Sequence, residues 1–330
     1  MEQKAGERAG NIRSINPRTD LREIADLIEL CFKDTLDEDG LDYIRYLRKL
    51  ASNFNEFSWG GESSFSSIAR IQGFIYEVDG KIVGNLSMIP FHKNGEFIYL
   101  VANVAVHPLH RRKKIALDLT AKSIKYAKEK SAESIWLQVR DDNPPAITLY
   151  RQMGFVEKYR RSTFTIPGTV SLKEYKGYGI TISQRGNEEW DQHKSWLNDN
   201  YPDDIRWNVG LRDNRLLPGF WNALSRFFSG VSVKNLSVFK NQQLIGIASL
   251  EKTNLYADNL WIACPEENDD EVVRASIPYF RSSRIFIRPQ TINYPVDRGE
   301  KAFEDLGFKK NHTLIWMEEK LNARSFVSEM

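Results

Sequence analysis

Cysteine is nearly absent from this chain of 330 residues, which has only Cys31 and Cys264, one in each half. Two cysteines so far apart provide neither a disulfide framework nor the spacing of a zinc site, and we interpret both as small buried hydrophobic residues. The chain also lacks an apolar run long enough to cross a bilayer and an apolar secretory segment near residue 1. These absences predict a cytoplasmic protein with no membrane partner and no bound metal.

The chain also has no large excess of positive or negative charge. It contains 46 Lys and Arg residues and 44 Asp and Glu residues, which gives a net charge of +2. A near-neutral chain has no general attraction for nucleic acid, so we expect no nucleic-acid partner, and any anion site must be local. Hydrophobic residues make up 41% of the chain, whose length is enough for two domains with separate cores.

Hydrophobic periodicity predicts an α/β order of elements in the first half. Asp20 precedes apolar residues at helical spacing and is expected to cap that helix. The dipeptide Asp79-Gly80 is a hairpin signal, and a long helix is expected from Ile115 to Lys130. The predicted order is strand, two helices, three strands, helix, strand, helix, strand, which favours a mixed sheet.

The second half repeats this order. The segment 241–246 corresponds to 79–84, and Leu306-Gly307-Phe308 corresponds to Met153-Gly154-Phe155. Because four such matches occur in the same order at an offset of about 150 to 170 residues, a duplicated domain explains them better than a chance likeness of unrelated α/β domains. We expect the boundary in the Pro- and Gly-containing segment 167–179.

The segment from Val101 to Ala116 reads as a buried strand, a turn and the start of a helix. The turn contains four consecutive basic residues, Arg111 to Lys114. A helix N-terminus presents unpaired N–H groups and a positive dipole end to an anion, and basic side chains add to this attraction. A solvated loop and a local nucleic-acid patch are the alternatives, but neither explains the position between strand and helix. The pattern predicts a phosphate or pyrophosphate site.

This segment resembles the GNAT superfamily of N-acetyltransferases, in which a strand ending in Val-x-Pro precedes Arg/Gln-x-x-Gly-x-Gly/Ala at the start of a long helix. The corresponding residues are Val106-His107-Pro108 and 111–116. A second family element, Asn-x-x-Ala-x-x-Leu-Tyr followed by Gly-Phe, is present as Asn143, Ala146, Leu149, Tyr150, Gly154 and Phe155. The resemblance implies two tandem GNAT-like α/β domains, each a mixed, mostly antiparallel sheet flanked by helices. The range 1–170 is the implied catalytic domain and 171–330 a degenerate one.

The resemblance also implies acetyl-CoA as the acetyl donor and a primary amine of a small molecule or peptide as the acceptor. The implied cofactor-binding residues are Val104, Ala105, Val106, Arg111, Arg112, Lys113, Lys114, Ile115, Ala116, Asn143 and Ala146. In this interpretation, amides of 112–116 hold the pyrophosphate, and backbone groups of Val104 and Val106 pair with the pantetheine arm. Tyr150 protonates the departing thiolate; the alternative is a tyrosine that only packs against Phe155.

Two departures from the family pattern keep a second interpretation open. Lys114 stands where the family often has glycine, and a side chain there would crowd the approach of pyrophosphate to the backbone. The strand from Leu100 to Val106 contains no carboxylate, and among Glu96, Glu56 and Glu62 none is favoured as a general base. The alternative function is therefore a non-catalytic module that binds CoA or an amine, and either function is compatible with a monomer or a homodimer.

The corresponding turn of the second half is acidic rather than basic. After Pro265 the chain has five carboxylates in six residues, 266–271, and Phe303 stands where the first half has Tyr150. Carboxylates suit a helix N-terminus but repel pyrophosphate. We therefore expect the second half not to bind acetyl-CoA. His107 and His110 flank the basic turn without metal-ligand spacing and are interpreted as loop residues.

Overall fold

The structure of the chain, a computed structural model, describes residues 10–36, 38–52, 71–93, 95–173, 175–281 and 288–321. The chain forms two compact units. Unit 1 consists of the residues up to Lys158 and those from Ile315 onward, and unit 2 consists of Tyr159–Leu314. Relative to the predicted ranges 1–170 and 171–330, the last segment of each half belongs to the other unit.

Unit 1 is an α/β unit with a mixed sheet. In the part of the chain that the structure describes, its elements are β1 (Asn11–Ser14), α1 (Leu21–Phe32), α2 (Glu38–Ser52), β2 (Gln72–Val78), β3 (Lys81–Lys93), β4 (Glu96–Val106), α3 (Ile115–Glu129), β5 (Ser134–Arg140) and α4 (Pro144–Gln152). The strands lie in the order β1-β2-β3-β4-β5. All neighbours are antiparallel except β4 and β5, which are parallel.

Helices cover both faces of this sheet because its apolar side chains form two clusters. One cluster lies under α1 and α2, which bury Leu21, Ile24, Ile28 and Ile44. The other lies under α3 and contains Leu119. The helical spacing of apolar residues therefore identified the buried faces of α1 and α3 correctly.

Asp20 precedes α1 as predicted, but it does not cap the helix through its side chain. Its carboxylate instead accepts hydrogen bonds from Arg13 at 2.6 Å and from the backbone N–H of Asn16 at 2.7 Å. The Arg13 guanidinium and these hydrogen bonds hold the pKa of Asp20 below its usual value, although burial opposes this shift. The carboxylate thus ties β1 to the turn before α1.

Unit 2 repeats the architecture of unit 1. Its elements among the described residues are β6 (Val156–Ile166), which begins in unit 1, β7 (Ile180–Gln184), α5 (Trp190–Asn200), α6 (Asp203–Val209), α7 (Asp213–Leu216), α8 (Phe220–Phe228), β8 (Val233–Lys240), β9 (Gln243–Glu251), β10 (Asp258–Ala263), α9 (Asp269–Arg281), β11 (Gln290–Pro295), α10 (Glu300–Asp305) and β12 (Lys309–Lys320). The strands β7-β8-β9-β10-β11-β6 form a sheet in which only β10 and β11 are parallel.

The predicted duplication is visible in corresponding details of the two units. Each has a hairpin with a residue of positive φ in its turn, Asp79 and Asn241. In each, a glycine after the hairpin lets the next long helix approach the sheet: a Cβ on Gly84 would lie 2.7 Å from Ile115, and one on Gly246 would lie 2.5 Å from Val272. In each, a glycine of positive φ follows the end of a short helix by two residues: Gly154 in unit 1 and Gly307 in unit 2.

The last strand of each half completes the other unit. β6 follows α4 of unit 1, yet its residues 161–166 pair with β11, and Phe164 packs in the core of unit 2. β12 follows α10 of unit 2, yet from Ile315 it belongs to unit 1, where Met317 packs in the core under α3. Alternation along a strand fixes which face is buried but not which strand it pairs with, so the sequence pattern predicted both strands without this exchange.

Candidate functional site

Strand β4 contains a bulge near its C-terminal end. The register between β3 and β4 shifts between Asn85 and Ser87, where β4 has one residue more than β3. At this point Asn103 has a φ of 53°. A left-handed conformation is uncommon outside glycine, and here it marks the extra residue of the bulge.

Beyond the bulge, β4 separates from β5. The parallel pairing of the two strands extends along β4 as far as Val101. Farther along, the N–H of His107 donates to the Val83 carbonyl of β3 at 2.8 Å. Because successive residues of a strand point their backbone groups to opposite sides, Val104 and Val106 direct theirs away from β3. The end of β4 therefore offers an edge to which an extended ligand can pair.

Not all backbone groups at this edge are equivalent. The Val106 carbonyl accepts hydrogen bonds from Cys31 Sγ and from Arg111 Nε, both at 3.3 Å. Ala105 pairs with Asn85 and packs in the cluster under α1 and α2. The structure thus places Val104 and the amide of Val106 at the open edge and Ala105 on the opposite side. Cys31 is half-buried rather than buried, and burial raises the pKa of its thiol.

The turn between β4 and α3 has the backbone conformation of an anion-binding nest. Arg112 and Lys114 both have positive φ, 66° and 62°, and Lys114 is the residue before the first turn of α3. Successive N–H groups in such a turn converge on a concave surface, and the N-terminus of α3 adds its own unpaired N–H groups. The four basic residues 111–114 are all exposed. This turn is the described part of the chain best suited to a pyrophosphate.

The conformation of Lys114 explains why glycine would suit this position. A left-handed conformation costs a non-glycine residue about 1–2 kcal/mol, and glycine in turn costs roughly 0.5–1 kcal/mol of backbone entropy. We expect Lys114→Gly to raise the free energy of unfolding by about 0.5–1 kcal/mol, measured by urea denaturation. The matched control is Lys113→Gly, whose φ is not positive; it should instead lower the stability. Equal effects of the two variants would contradict the strain at Lys114.

Helix α4 contains the second group of predicted site residues. Asn143 is exposed and caps α4, since its Oδ1 accepts the N–H of Ala146 at 3.3 Å. Tyr150 is only 6% exposed, and its ring meets that of Phe155 edge-on at 5.9 Å. Burial raises the pKa of the Tyr150 phenol well above its ordinary value. The hydroxyl therefore keeps its proton at neutral pH, as a proton donor must.

The apolar cluster under α3 brings five of the twelve predicted site residues together. Ile115 and Tyr150 belong to it, and Val104, Val106 and Ala146 pack against it. The β4 edge, the start of α3 and α4 are therefore assembled on the same face of unit 1. Ala105 packs on the other face.

Of the remaining candidates, those that the structure describes lie outside this cluster. Glu96 is exposed at the start of β4, seven residues and roughly 23 Å of strand from the bulge, and Glu56 and Glu62 lie outside the described residues. The rings of His107 and His110 contact each other at 5.7 Å. Among the residues that the structure describes, no three His, Cys, Asp or Glu side chains are grouped as metal ligands, and no helix is long and apolar enough to cross a membrane.

The corresponding turn of unit 2 is built differently. Helix α9 begins at Asp269, which lies four residues after Pro265, as Arg112 lies four residues after Pro108. The turn that forms the nest in unit 1 is therefore helical here. The Asp269 carboxylate accepts two hydrogen bonds from Arg298, both at 2.8 Å, and others from Tyr294 at 2.6 Å and Cys264 at 3.2 Å; this cluster fills the turn.

Comparison with known proteins identifies the family of unit 1. The sequence profile of the Acetyltransferase (GNAT) family matches residues 29–155. The chain therefore carries a GNAT-family sequence over residues 29–155. A solved GCN5-related N-acetyltransferase from Sphaerobacter thermophilus has the same fold with a TM-score of 0.54 at 13% identity, over 94% of this chain and 95% of that one. The GNAT-like fold thus extends beyond the matched domain, in agreement with the predicted tandem domains.

Two curated relatives are similar to parts of the chain. An N-alpha-acetyltransferase of Sulfurisphaera tokodaii is 38% identical over 97 residues, which cover 26% of this chain and 56% of that protein. A streptothricin acetyltransferase of Streptomyces lavendulae is 40% identical over 55 residues, which cover 17% of this chain and 29% of that protein. The chain therefore matches about half of the length of the first relative and less than a third of the second.

The structure also brings residues to the β4 bulge that sequence reasoning missed. Asn85 and Ser87 are buried polar residues of β3, and Tyr43 of α2 lies beside them. A signal was present, because these two polar residues alternate with apolar ones in the segment 82–88. Two-residue spacing places both side chains on one face of the strand.

Proposed function

We propose that unit 1 transfers the acetyl group of acetyl-CoA to a primary amine. The observation that carries this proposal is the position of the nest directly after the open edge of β4. Arg111 joins the two features, because its Nε donates to the Val106 carbonyl at the end of the edge. A ligand with a pyrophosphate and an extended amide-containing arm matches the two features in order.

The described residues of the turn, of the β4 edge and of α4 fit the successive parts of this ligand. Backbone N–H groups of 112–116 hold the pyrophosphate, and the side chains of 111–114 add positive charge. Val104 and the amide of Val106 pair with the pantetheine arm as a neighbouring strand would. Asn143 supports the arm through the amide nitrogen that its helix cap does not use.

The reaction is a direct attack. The amine nitrogen bonds to the thioester carbonyl carbon, and the amine gives one proton to solvent as the carbon–sulfur bond breaks. A backbone N–H at the open edge stabilises the negative charge on the carbonyl oxygen. The Tyr150 hydroxyl donates its proton to the departing sulfur, and solvent returns a proton to the tyrosine.

The names of the two curated relatives guide the choice of acceptors to test. One is an N-alpha-acetyltransferase and the other a streptothricin acetyltransferase, so peptide and small-molecule amines both belong in the first screen. An α-amine has a pKa of about 8, and part of it is therefore already neutral at pH 7. Such an amine needs only water to accept the proton it releases.

Calorimetric titration of acetyl-CoA into the full chain tests the cofactor site. We expect one site per chain. We expect the variant Arg112→Glu/Lys113→Glu to bind at least about 10-fold more weakly, because charge reversal places two carboxylates beside the pyrophosphate. The matched control, Lys301→Glu/Lys309→Glu, makes the same change in net charge at exposed positions of unit 2 and should bind as the wild type does.

The possible results separate the candidate functions. Equal weakening by both double variants would show a general charge effect and remove the turn from the site. Binding at one site without acetyl transfer to any amine of the screen would favour the non-catalytic module. Transfer that depends on the turn would establish the enzyme.

A further inference from the structure

A polar cluster is buried at the β4 bulge, on the face of the sheet that α1 and α2 cover. Asn85 of β3 is completely buried, and its Nδ2 donates to the Asn103 carbonyl at 2.8 Å. The same nitrogen lies 3.4 Å from Ser87 Oγ. Tyr43 of α2 interacts through its hydroxyl with the side chains of Ser87 and Asn103. Residues of both β3 and α2 therefore contact Asn103 at the bulge.

The side-chain amide of Asn85 is only partly satisfied in this contact: its nitrogen donates a hydrogen bond, but its oxygen accepts none from the residues that the structure describes. Its Oδ1 has no hydrogen-bond partner in the described part of the chain, and an unpaired buried amide oxygen is destabilising. Rotation of the amide would bring Oδ1 against the Asn103 carbonyl oxygen, which is also an acceptor. The bond to the bulge therefore fixes the orientation of Asn85.

Unit 2 provides an internal comparison. Gly84 and Gly246 occupy corresponding positions, each facing the helix that follows, which places Ile247 where unit 1 has Asn85. In unit 2 the pairing of β9 with β10 is continuous over 259–263. All residues of β10 are described, and none has a positive φ. Unit 1 therefore has both the asparagine and the bulge. Unit 2 has an isoleucine and a continuously paired strand in their places.

The bulge decides where the following amides point. Tyr99 and Val101 before it, and Val104 and Val106 after it, all pack on the face of α3. Odd-numbered and even-numbered positions have thus exchanged sides across the bulge. Without the extra residue the alternation would be reversed, and the amides of Val104 and Val106 would turn toward β3.

We propose that Asn85 is a positioning residue for acetyl transfer. By holding the Asn103 carbonyl it keeps the bulge that directs the amides of Val104 and Val106 toward the reacting carbonyl oxygen. This inference rests on the proposed function of unit 1. Asn85 is completely buried and acts only through β4. Its loss therefore lowers kcat more than it weakens binding of acetyl-CoA, because the separate turn at 111–116 still holds the pyrophosphate.

The test is Asn85→Ile, which gives unit 1 the residue that unit 2 has. We expect kcat to fall on the order of 100-fold, as for the loss of one oxyanion donor. The Kd for acetyl-CoA in calorimetry should rise by less than about 10-fold, because the pyrophosphate contacts at 111–116 remain while the pairing of Val104 and Val106 with the arm is lost. A crystal structure of the variant should show Asn103 without a positive φ and β3 paired continuously with β4.

Two further variants guard against a general loss of folding. Tyr43→Phe keeps the packed ring and removes only the hydroxyl beside Ser87 and Asn103. We expect smaller changes in kcat and in Kd than in Asn85→Ile, with kcat again the more affected. The control Ser123→Ala removes another buried hydroxyl of unit 1, which donates within α3 to the Thr120 carbonyl at 2.7 Å. It should leave kcat unchanged.

The outcomes distinguish this inference from the function on which it rests. A bulge that persists in Asn85→Ile, or a kcat equal to that of Ser123→Ala, overturns the positioning role alone. A wild-type protein that neither binds acetyl-CoA nor acetylates any amine overturns the proposed function, and the positioning role with it.

Discussion

Tyr150→Phe is expected to lower kcat for acetyl transfer by about 100-fold or more, the usual range for loss of a general acid, with the Kd for acetyl-CoA unchanged. The phenylalanine ring retains the edge contact with Phe155, so the fold is preserved while the proton donor is lost. Burial raises the pKa of Tyr150. The wild-type hydroxyl therefore stays protonated throughout the range in which the amine acceptor becomes neutral.

The control for this prediction is Tyr99→Phe. Tyr99 is buried in the same apolar cluster under α3, and burial raises its pKa to about 12. It lies in β4 before the bulge, so loss of its hydroxyl should not change kcat. Unchanged turnover in Tyr150→Phe, or an equal loss in Tyr99→Phe, would mean that Tyr150 only packs against Phe155.

The anion-binding turn was predictable from the sequence because its chemistry is local. A buried strand, a run of basic residues and a helical period follow one another within 101–116, and each determines its own backbone. The repeated hairpins and Gly-Phe segments likewise predicted the duplication. The positive φ of Lys114 agrees with the family preference for glycine at that position.

Two features escaped prediction because they depend on contacts between distant segments. The exchange of β6 and β12 is a choice of strand partner, and similar alternation in both strands gives no information on that choice. The bulge in β4 depends on Asn85, which lies 18 residues from Asn103. The polar residues in β3 were visible in the sequence, but their use became clear only from the register of β3 and β4.

The corresponding turn of unit 2 has an acidic residue at its centre. Asp269 takes the place of Arg112, and its carboxylate occupies the helix N-terminus where a phosphate would otherwise be favoured. Arg298 and Tyr294 both donate to it. The carboxylate of Asp269 thus already accepts the hydrogen bonds that an anion would otherwise receive at this turn. We infer that the turn stabilises unit 2 instead of binding acetyl-CoA.

Arg298→Met is therefore expected to lower the free energy of unfolding by about 3–5 kcal/mol, the range for a buried charge left without its partner. The Asp269 side chain is only 4% exposed. The guanidinium of Arg298 donates two charge-assisted hydrogen bonds to its carboxylate. Urea denaturation followed by tryptophan fluorescence measures the change. The control Arg274→Met breaks a pair with Asp305, which is 49% exposed, and should cost no more than about 1 kcal/mol.

A second substitution separates the charge from the packing. In Arg298→Met/Asp269→Asn the buried carboxylate is replaced by a neutral amide that still accepts from Tyr294, so the double variant should recover most of the stability that Arg298→Met loses. A double variant no more stable than Arg298→Met would place the effect in the packing of the arginine stem. Full recovery would show that Arg298 balances the buried carboxylate of Asp269, which stands at the position of Arg112 in unit 1.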